Sequence, residues 1–258
     1  MKRHLSIVPA SRETSPALEA EQLEMLFDVA GRPVKILEDI AFRIAPGELI
    51  CLLGPSGCGK TTLLNLVAGF LTPCSGTLRI YGRRIIGPGP DRCVVFQEDA
   101  LFPWLTVAEN IAFGLKGRLS GRERRAEVAR HLDLMGLSAY GNYLPGEISG
   151  GMKQRVALAR VLILKPRVLL MDEPFGALDA QTREEMQQLL LDLWREFSPT
   201  ILFVTHDIGE ALVLADRILV MGRHPGRILA QVAISLPHPR KKESDALHRF
   251  YGKLRALL

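Results

Sequence analysis

One octapeptide constrains this chain more than any other feature: Gly54-Pro55-Ser56-Gly57-Cys58-Gly59-Lys60-Thr61. It matches GxxxxGK[ST] at every fixed position. It follows the apolar run Leu49-Ile50-Cys51-Leu52-Leu53, which reads as a buried strand, and it opens a helix over about Lys60–Ala68 that Gly69 stops. Phosphate chemistry needs that placement. Glycines let the backbone close around phosphate oxygens. Successive N–H groups form an anion nest, and the helix start adds about half a positive charge. Lys60 brings a full charge to the β- and γ-phosphates, the Thr61 hydroxyl is placed for Mg²⁺, and Thr62 completes the set facing the nucleotide. Cys58 reads either as a thiol whose alkylation would block the site or as a small spacer; the spacer is the expectation.

A phosphate loop says only that a nucleoside triphosphate is bound, since kinases, GTPases, helicases and recombinases share it. Val168-Leu169-Leu170-Met171-Asp172-Glu173 narrows the choice. An apolar strand carries two acids to the sheet edge beside the loop. Asp172 is expected to reach Mg²⁺, directly or through water. Glu173 is expected to polarise the attacking water as a general base.

Length and composition set outer bounds. The 258 residues suffice for one large α/β domain or two small ones. With 47% hydrophobic and 24% charged residues, wholesale disorder is excluded. A formal charge of +5 fits nucleotide, nucleic acid or an anionic membrane surface, and chooses none of them. Cys51, Cys58, Cys74 and Cys93 form no CxxC pair and no zinc-spaced cluster, so they read as reduced thiols of a cytosolic protein. Met1-Lys2-Arg3-His4 leads into an apolar stretch too short and polar for a secretory signal. No run approaches about 18 apolar residues, so a pore would have to come from another chain.

The order of segments predicts an α/β fold. Residues 1–22 read as a loosely ordered leader. Strands are expected at about 23–27, 36–44, 48–53, 77–81, 93–96, 168–171, 201–204, 218–221 and 228–234. The 77–81 run reads as an edge hairpin, and a mostly helical stretch covers about 104–165. Within it, Ser120 and Glu123 form a capping box, and a second helix starts near Ser149 and stops before Pro166. Another helix spans about 180–197. This alternation implies a largely parallel sheet with helices on both faces. The main domain is expected over 23–235, followed by a basic tail over 236–258.

Ile148-Ser149-Gly150-Gly151-Met152-Lys153-Gln154-Arg155 supplies a second anion site. Ser149 reads as an N-cap, and Gly150 and Gly151 bare the first N–H groups of a helix. The peptide resembles the Leu-Ser-Gly-Gly-Gln signature of ABC ATPases, departing at Ile148 and Met152 and keeping the Ser-Gly-Gly centre. Further residues follow in that family's order. Gln97 matches the Q-loop, which ligates Mg²⁺ and senses a permease. Asp179, in Ala177-Leu178-Asp179, matches the D-loop, and His206 matches the switch histidine at the γ-phosphate. The resemblance implies a P-loop NTPase fold of the ABC type, with an inserted helical subdomain and an antiparallel β edge. It implies ATP and Mg²⁺ as cofactors and a head-to-tail pair of ATPase subunits. In that pair Ser149, Gly150, Gly151 and Met152 meet the partner's ATP. Phe27 is read two ways, as the aromatic that stacks on adenine or as a core strand residue.

Leu101-Phe102-Pro103-Trp104-Leu105-Thr106-Val107 resembles the nitrate/sulfonate/taurine importer branch, as do Pro225-Gly226-Arg227 and Leu236-Pro237-His238-Pro239-Arg240. By analogy the surface around 97–110 would grip a permease, with Trp104 as an anchor or, alternatively, a core residue. The partners implied are a second, identical subunit, transmembrane permease subunits and, indirectly, a solute-binding protein. The location implied is cytoplasmic, on the inner face of the membrane. An exporter ATPase and a nucleic-acid-associated ABC ATPase are the competing readings. The second usually carries coiled coils or tandem cassettes, and one phosphate loop with no heptad run argues against it. The tail carries Arg240, Lys241, Lys242, Arg249, Lys253 and Arg255, with Leu247, Phe250, Leu254 and Leu257 at helical spacing. It reads as a helix packed on the domain, with lipid or permease contact as the alternative.

Overall fold

The computed structural model describes residues 15–240 and 244–258. The first half of the chain holds β1 (Leu18–Val29), β2 (Arg32–Ile44), β3 (Leu49–Leu53), α1 (Lys60–Ala68), β4 (Ser75–Ile80), β5 (Arg83–Arg84) and β6 (Arg92–Val95). The helical stretch follows with α2 (Val107–Ala112), α3 (Gly121–Leu134) and α4 (Gly150–Leu162). The remainder is β7 (Val168–Asp172), α5 (Ala180–Phe197), β8 (Thr200–Thr205), α6 (Ile208–Leu214), β9 (Arg217–Met221), β10 (Ile228–Ala233) and α7 (Asp245–Arg255).

Two sheets result. The central one has the order β10-β9-β3-β8-β7-β6, parallel except for β10, and the other is an antiparallel sheet ordered β2-β1-β4-β5. The unbroken apolar runs of the central strands follow from burial on both faces. In β3, Leu49, Cys51 and Leu53 face one core, whereas Ile50 and Leu52 face the other. The first core holds α4, α5, α6 and the helical stretch. The second holds α1 and the antiparallel sheet.

Caps fix the helix starts. Ser120 and Glu123 form the expected box at α3, and Gly136, with φ +67, lies just past its end. An equivalent box of Thr106 and Glu109 opens α2.

The reading of 1–22 as a leader needs correction. Residues 1–14 lie outside the described residues, but Leu18 to Gln22 belong to β1. Leu18 and Ala20 alternate inward, then Gln22 takes φ +48 and the register shifts before Leu23 and Met25 resume the inward face. That bulge breaks the period of two and hides the strand from pattern reading. The tail carries the packed helix that its apolar spacing predicts. Leu247 and Leu254 of α7 are buried against the core that holds α6. The Arg240 guanidinium is buried and donates to the carbonyls of Leu212, Ala215, Ile234 and Leu236. Lys241 and Lys242 lie outside the described residues. The short helix α6 was not anticipated: its 7 residues span too few turns to display a helical period.

Candidate functional site

Four adjacent strands, β3, β8, β7 and β6, run parallel and end at one edge. The phosphate loop leaves β3 there, His206 follows β8, Asp172 and Glu173 end β7, and Gln97 lies just past β6. Parallel sheets place ligand sites at this edge because only there do the connecting loops and helix N-termini converge.

At the loop, α1 starts behind Gly59, which has φ +97. Glycine has no side chain to cap the helix, so the first N–H groups stay free for an anion. A Cβ at 59 would lie 2.7 Å from Leu37 Cδ2, so β2 holds the loop from above. The Pro225-Gly226 turn holds it from the side, and a Cβ at 226 would overlap the Cys58 carbonyl oxygen. Pro55, Ser56 and Gly57 form the crest of the loop, beyond Gly54 at its base, and Thr62 is the third residue of α1.

The charged residues are already in contact. Lys60, 5% exposed, donates from Nζ to the carbonyls of Gly54 at 2.8 Å and Pro55 at 3.2 Å. The same Nζ lies 3.5 Å from Glu173 Oε1. Glu173 Oε2 lies 2.7 Å from His206 Nδ1. Thr61 Oγ1 donates to Asp172 Oδ1 at 3.2 Å. Burial pushes the Asp172 carboxyl up; the Thr61 hydroxyl opposes this, the Glu173 charge adds to it, and Lys60 opposes it again. Glu173 occupies the left-handed region at φ +44, a conformation costing a non-glycine residue about 1–2 kcal/mol. Its N–H donates to Val204 O at 3.0 Å, which ties the β7 end to β8. Thr61 and Asp172 bring hard oxygen donors together, the chemistry Mg²⁺ prefers. Gln97 is exposed, and its side-chain nitrogen lies near Gly176, next to the acid pair.

The second glycine-rich helix start has a different neighbour. Ser149 Oγ accepts from the Met152 N–H at 3.3 Å. Gly150 faces open space, whereas a Cβ at Gly151 would lie 2.5 Å from Thr182 Cγ2. The signature helix therefore packs on the first turn of α5. Asp179 caps that turn, its Oδ1 accepting from Thr182 N at 3.0 Å and its Oδ2 from Thr182 Oγ1 at 2.6 Å. These bonds hold its carboxyl below the usual range. No contact within the chain links Ser149 to the phosphate loop among the described interactions. Phe27 is half-buried on β1 opposite Val34, on the same hairpin as Leu37 and packed against the second core.

Two side chains that motif reading passed over grip the Q-loop. Gln154 Nε2 donates to Gln97 O at 3.2 Å, and the Arg160 guanidinium donates to Asp99 O and Ala100 O. Both lie on α4, the helix that Ser149 caps. Their only sequence signal is polarity at positions otherwise facing the core.

Cys58 is 1% exposed, and burial pushes its thiol up, with Lys60 opposing. The spacer reading follows from that packing. With iodoacetamide near neutral pH, exposed Cys74 is expected to alkylate first and Cys58 to resist until unfolding, as read by peptide mass spectrometry.

A nucleotide cradle with its acid pair on the next-but-one strand defines a P-loop ATPase. The ABC transporter family profile matches residues 37–176, and the chain belongs to that family. The nitrate import ATP-binding protein of Synechococcus elongatus is 47% identical, over 89% of this chain and 88% of its own. The taurine import ATP-binding protein of Pelagibacter ubique is 51% identical, over 82% and 80%. The bicarbonate transport ATP-binding protein of Synechocystis is 43% identical, over 93% and 86%. Among solved structures, the dimeric cassette MJ0796 in a post-hydrolysis state with ADP and Pi has a TM-score of 0.74 at 30% identity, covering 85% of this chain and all of that one. For cbiO1 of Clostridium perfringens, part of the cbiONQ transporter complex, the TM-score is 0.78 at 28% identity, covering 93% of each chain. The expected fold and the expected ATPase class both hold.

Proposed function

We propose that this chain is the ATP-hydrolysing subunit of an importer for a small anionic or zwitterionic solute of the sulfonate, taurine or nitrate type. The observation that carries the catalytic part is the contact chain Lys60–Glu173–His206 at the phosphate-loop edge. The functions by which the relatives are named, import of nitrate and taurine and transport of bicarbonate, support the cargo class.

In this reading the loop from Gly54 to Thr62 cradles the ATP phosphates, and Lys60 turns from its two carbonyl partners to the β- and γ-phosphates. Thr61, Asp172 and Gln97 would hold Mg²⁺, whose charge would neutralise the phosphate oxygens. Glu173 accepts a proton from the attacking water, and His206 holds Glu173 in place and meets the γ-phosphate. Phe27 stacks on adenine. Two identical subunits pair head to tail, so that Ser149 to Met152 of one reach the ATP of the other and Asp179 lies at the joint. Closure drives a separate permease, fed by a solute-binding protein. No helix among the described residues is long and apolar enough to cross a membrane, which fits a subunit on the cytoplasmic face.

The permease would seat on the helical stretch. Trp104 is 72% exposed there, and its chain neighbour Leu105 lines, with Ala108, Ala112, Val128 and Leu132, a groove of about 500 Å³ between α2 and α3 that Lys116 and Arg124 also border. Exposed aromatics beside apolar grooves commonly anchor partners.

The test is growth of a deletion strain on a panel of sole nitrogen, sulfur and inorganic-carbon sources. A defect confined to one source, rescued by the intact gene and not by Glu173→Gln, is expected and names the cargo. Normal uptake of every source, with efflux of some compound impaired, would replace import by export.

A further inference from the structure

A buried polar cluster lies between α5 and α6, outside the hydrolytic set. Glu210 on α6 is 6% exposed, and Gln187 on α5 is 2% exposed. Gln187 Nε2 donates to Glu210 Oε1 at 3.3 Å. The hydroxyl of Thr205, the last residue of β8 and the neighbour of His206, lies close enough to the Glu210 carboxylate to favour its charged form. The Thr205 Oγ1 accepts the N–H of Asp207 at 3.0 Å. Arg183, one turn before Gln187, attracts Glu210 and donates to the Leu178 carbonyl, beside Asp179, at 2.8 Å. Arg183 Nε is buried with no hydrogen-bond partner among the described residues. A cavity of about 50 Å³, lined by Glu173, Gly176, Arg183, Thr205, His206 and Glu210, joins this cluster to the base.

A carboxylate is costly to bury, and burial pushes the Glu210 carboxyl up while Thr205 and Gln187 pull it back. An apolar residue would fill the same space, so tight packing alone does not call for an acid. Directional bonds do what apolar contacts cannot: they fix the register of two helices that could otherwise slide. The two elements fixed here are those that begin at the D-loop and at the switch histidine.

We propose that Glu210 is a positioning residue for hydrolysis. Through Thr205 it fixes the strand end that presents His206. Through Gln187 and Arg183 it fixes the helix that presents Asp179. Glu210 touches no reacting atom; it holds the switch histidine and the D-loop of one subunit in a common frame. This rests on the roles given above to His206 and Asp179.

Steady-state Mg-ATPase of the full chain tests it, with kcat and KM read separately and folding checked by thermal melting. Glu210→Ala is expected to lower kcat on the order of ten- to a hundredfold, the scale of small misplacement at a reacting centre, with KM changed by less than about twofold. Glu210→Gln keeps the shape and the bonding to Gln187 and is expected to restore kcat to within about threefold of wild type. Gln187→Ala is expected to lower kcat in part, and non-additively with Glu210→Ala. Wild-type kcat in Glu210→Ala, a loss confined to KM, or a Gln variant as impaired as Ala would overturn the assignment. Where Glu210→Ala does not fold, Gln187→Ala decides: a lowered kcat supports the proposal and an unchanged one overturns it. His206→Ala, run in parallel, separates the two readings. If it keeps full turnover, the role of His206 is wrong; if it is inactive while Glu210→Ala is not, only the Glu210 inference fails.

Discussion

Glu173→Gln is expected to bind ATP with near-wild-type affinity, to hold the subunit pair closed, and to turn over about 10²- to 10⁴-fold more slowly. The change removes one charge and keeps the volume, so the strand end survives. The Glu173 backbone is fixed independently of its side chain, through its N–H on Val204 O and the acceptance of Gly176 N–H. What is lost is the acceptor for the proton of the attacking water. An amide cannot take it, and the 2.7 Å contact with His206 becomes a neutral hydrogen bond. Single-turnover phosphate release and gel filtration with ATP read the two halves of the prediction. A variant that hydrolyses at the wild-type rate would remove the base from Glu173.

Lys60→Ala is expected to fail one step earlier, at binding. A hydrogen bond to a charged group is worth roughly 1.5–3 kcal/mol, so ATP affinity should fall by about ten- to a hundredfold or more. The upper end is favoured because the ammonium is the cation beside Glu173, with Asp172 on the adjoining position. Without it, the phosphates approach two carboxylates uncompensated. The buried stem also leaves a gap beside the Gly54 and Pro55 carbonyls, so a small loss of melting temperature accompanies the weaker binding. Isothermal titration with ATP distinguishes the two variants: Glu173→Gln titrates and Lys60→Ala does not in the same range. Equal affinity in both would place the phosphates away from Lys60.

Much of the site was legible because its pieces are local. Leu49 to Thr61 is strand, loop and helix start in one stretch, and each glycine has a backbone reason to be there. Ser149 and Asp179 were legible as helix starts, and their caps are made to Met152 and Thr182. The strands β3, β7 and β8 were legible as apolar runs because both of their faces are buried. Other features depended on distant residues. The β1 start was hidden by the bulge at Gln22, and α6 by its shortness, since 7 residues are too few to display a helical period. Arg240 looked like one basic residue among several in a tail, yet it donates to four carbonyls inside the fold.

The sequence by itself determined which chemistry is present: a phosphate cradle, an acid pair ending a buried strand, and a second bared helix start. Those are properties of spacing within a few residues, where chain connectivity enforces proximity. Only the tertiary structure decided which groups touch. The order β3-β8-β7-β6 brings Lys60, Gln97, Glu173 and His206 to one edge from four separate stretches of the chain. The meeting of Gly151 with Thr182, and of Glu210 with Gln187, depends on how α4, α5 and α6 lie against one face of that sheet. Such contacts arise from packing whole elements together, and no local pattern in the chain encodes the pairing.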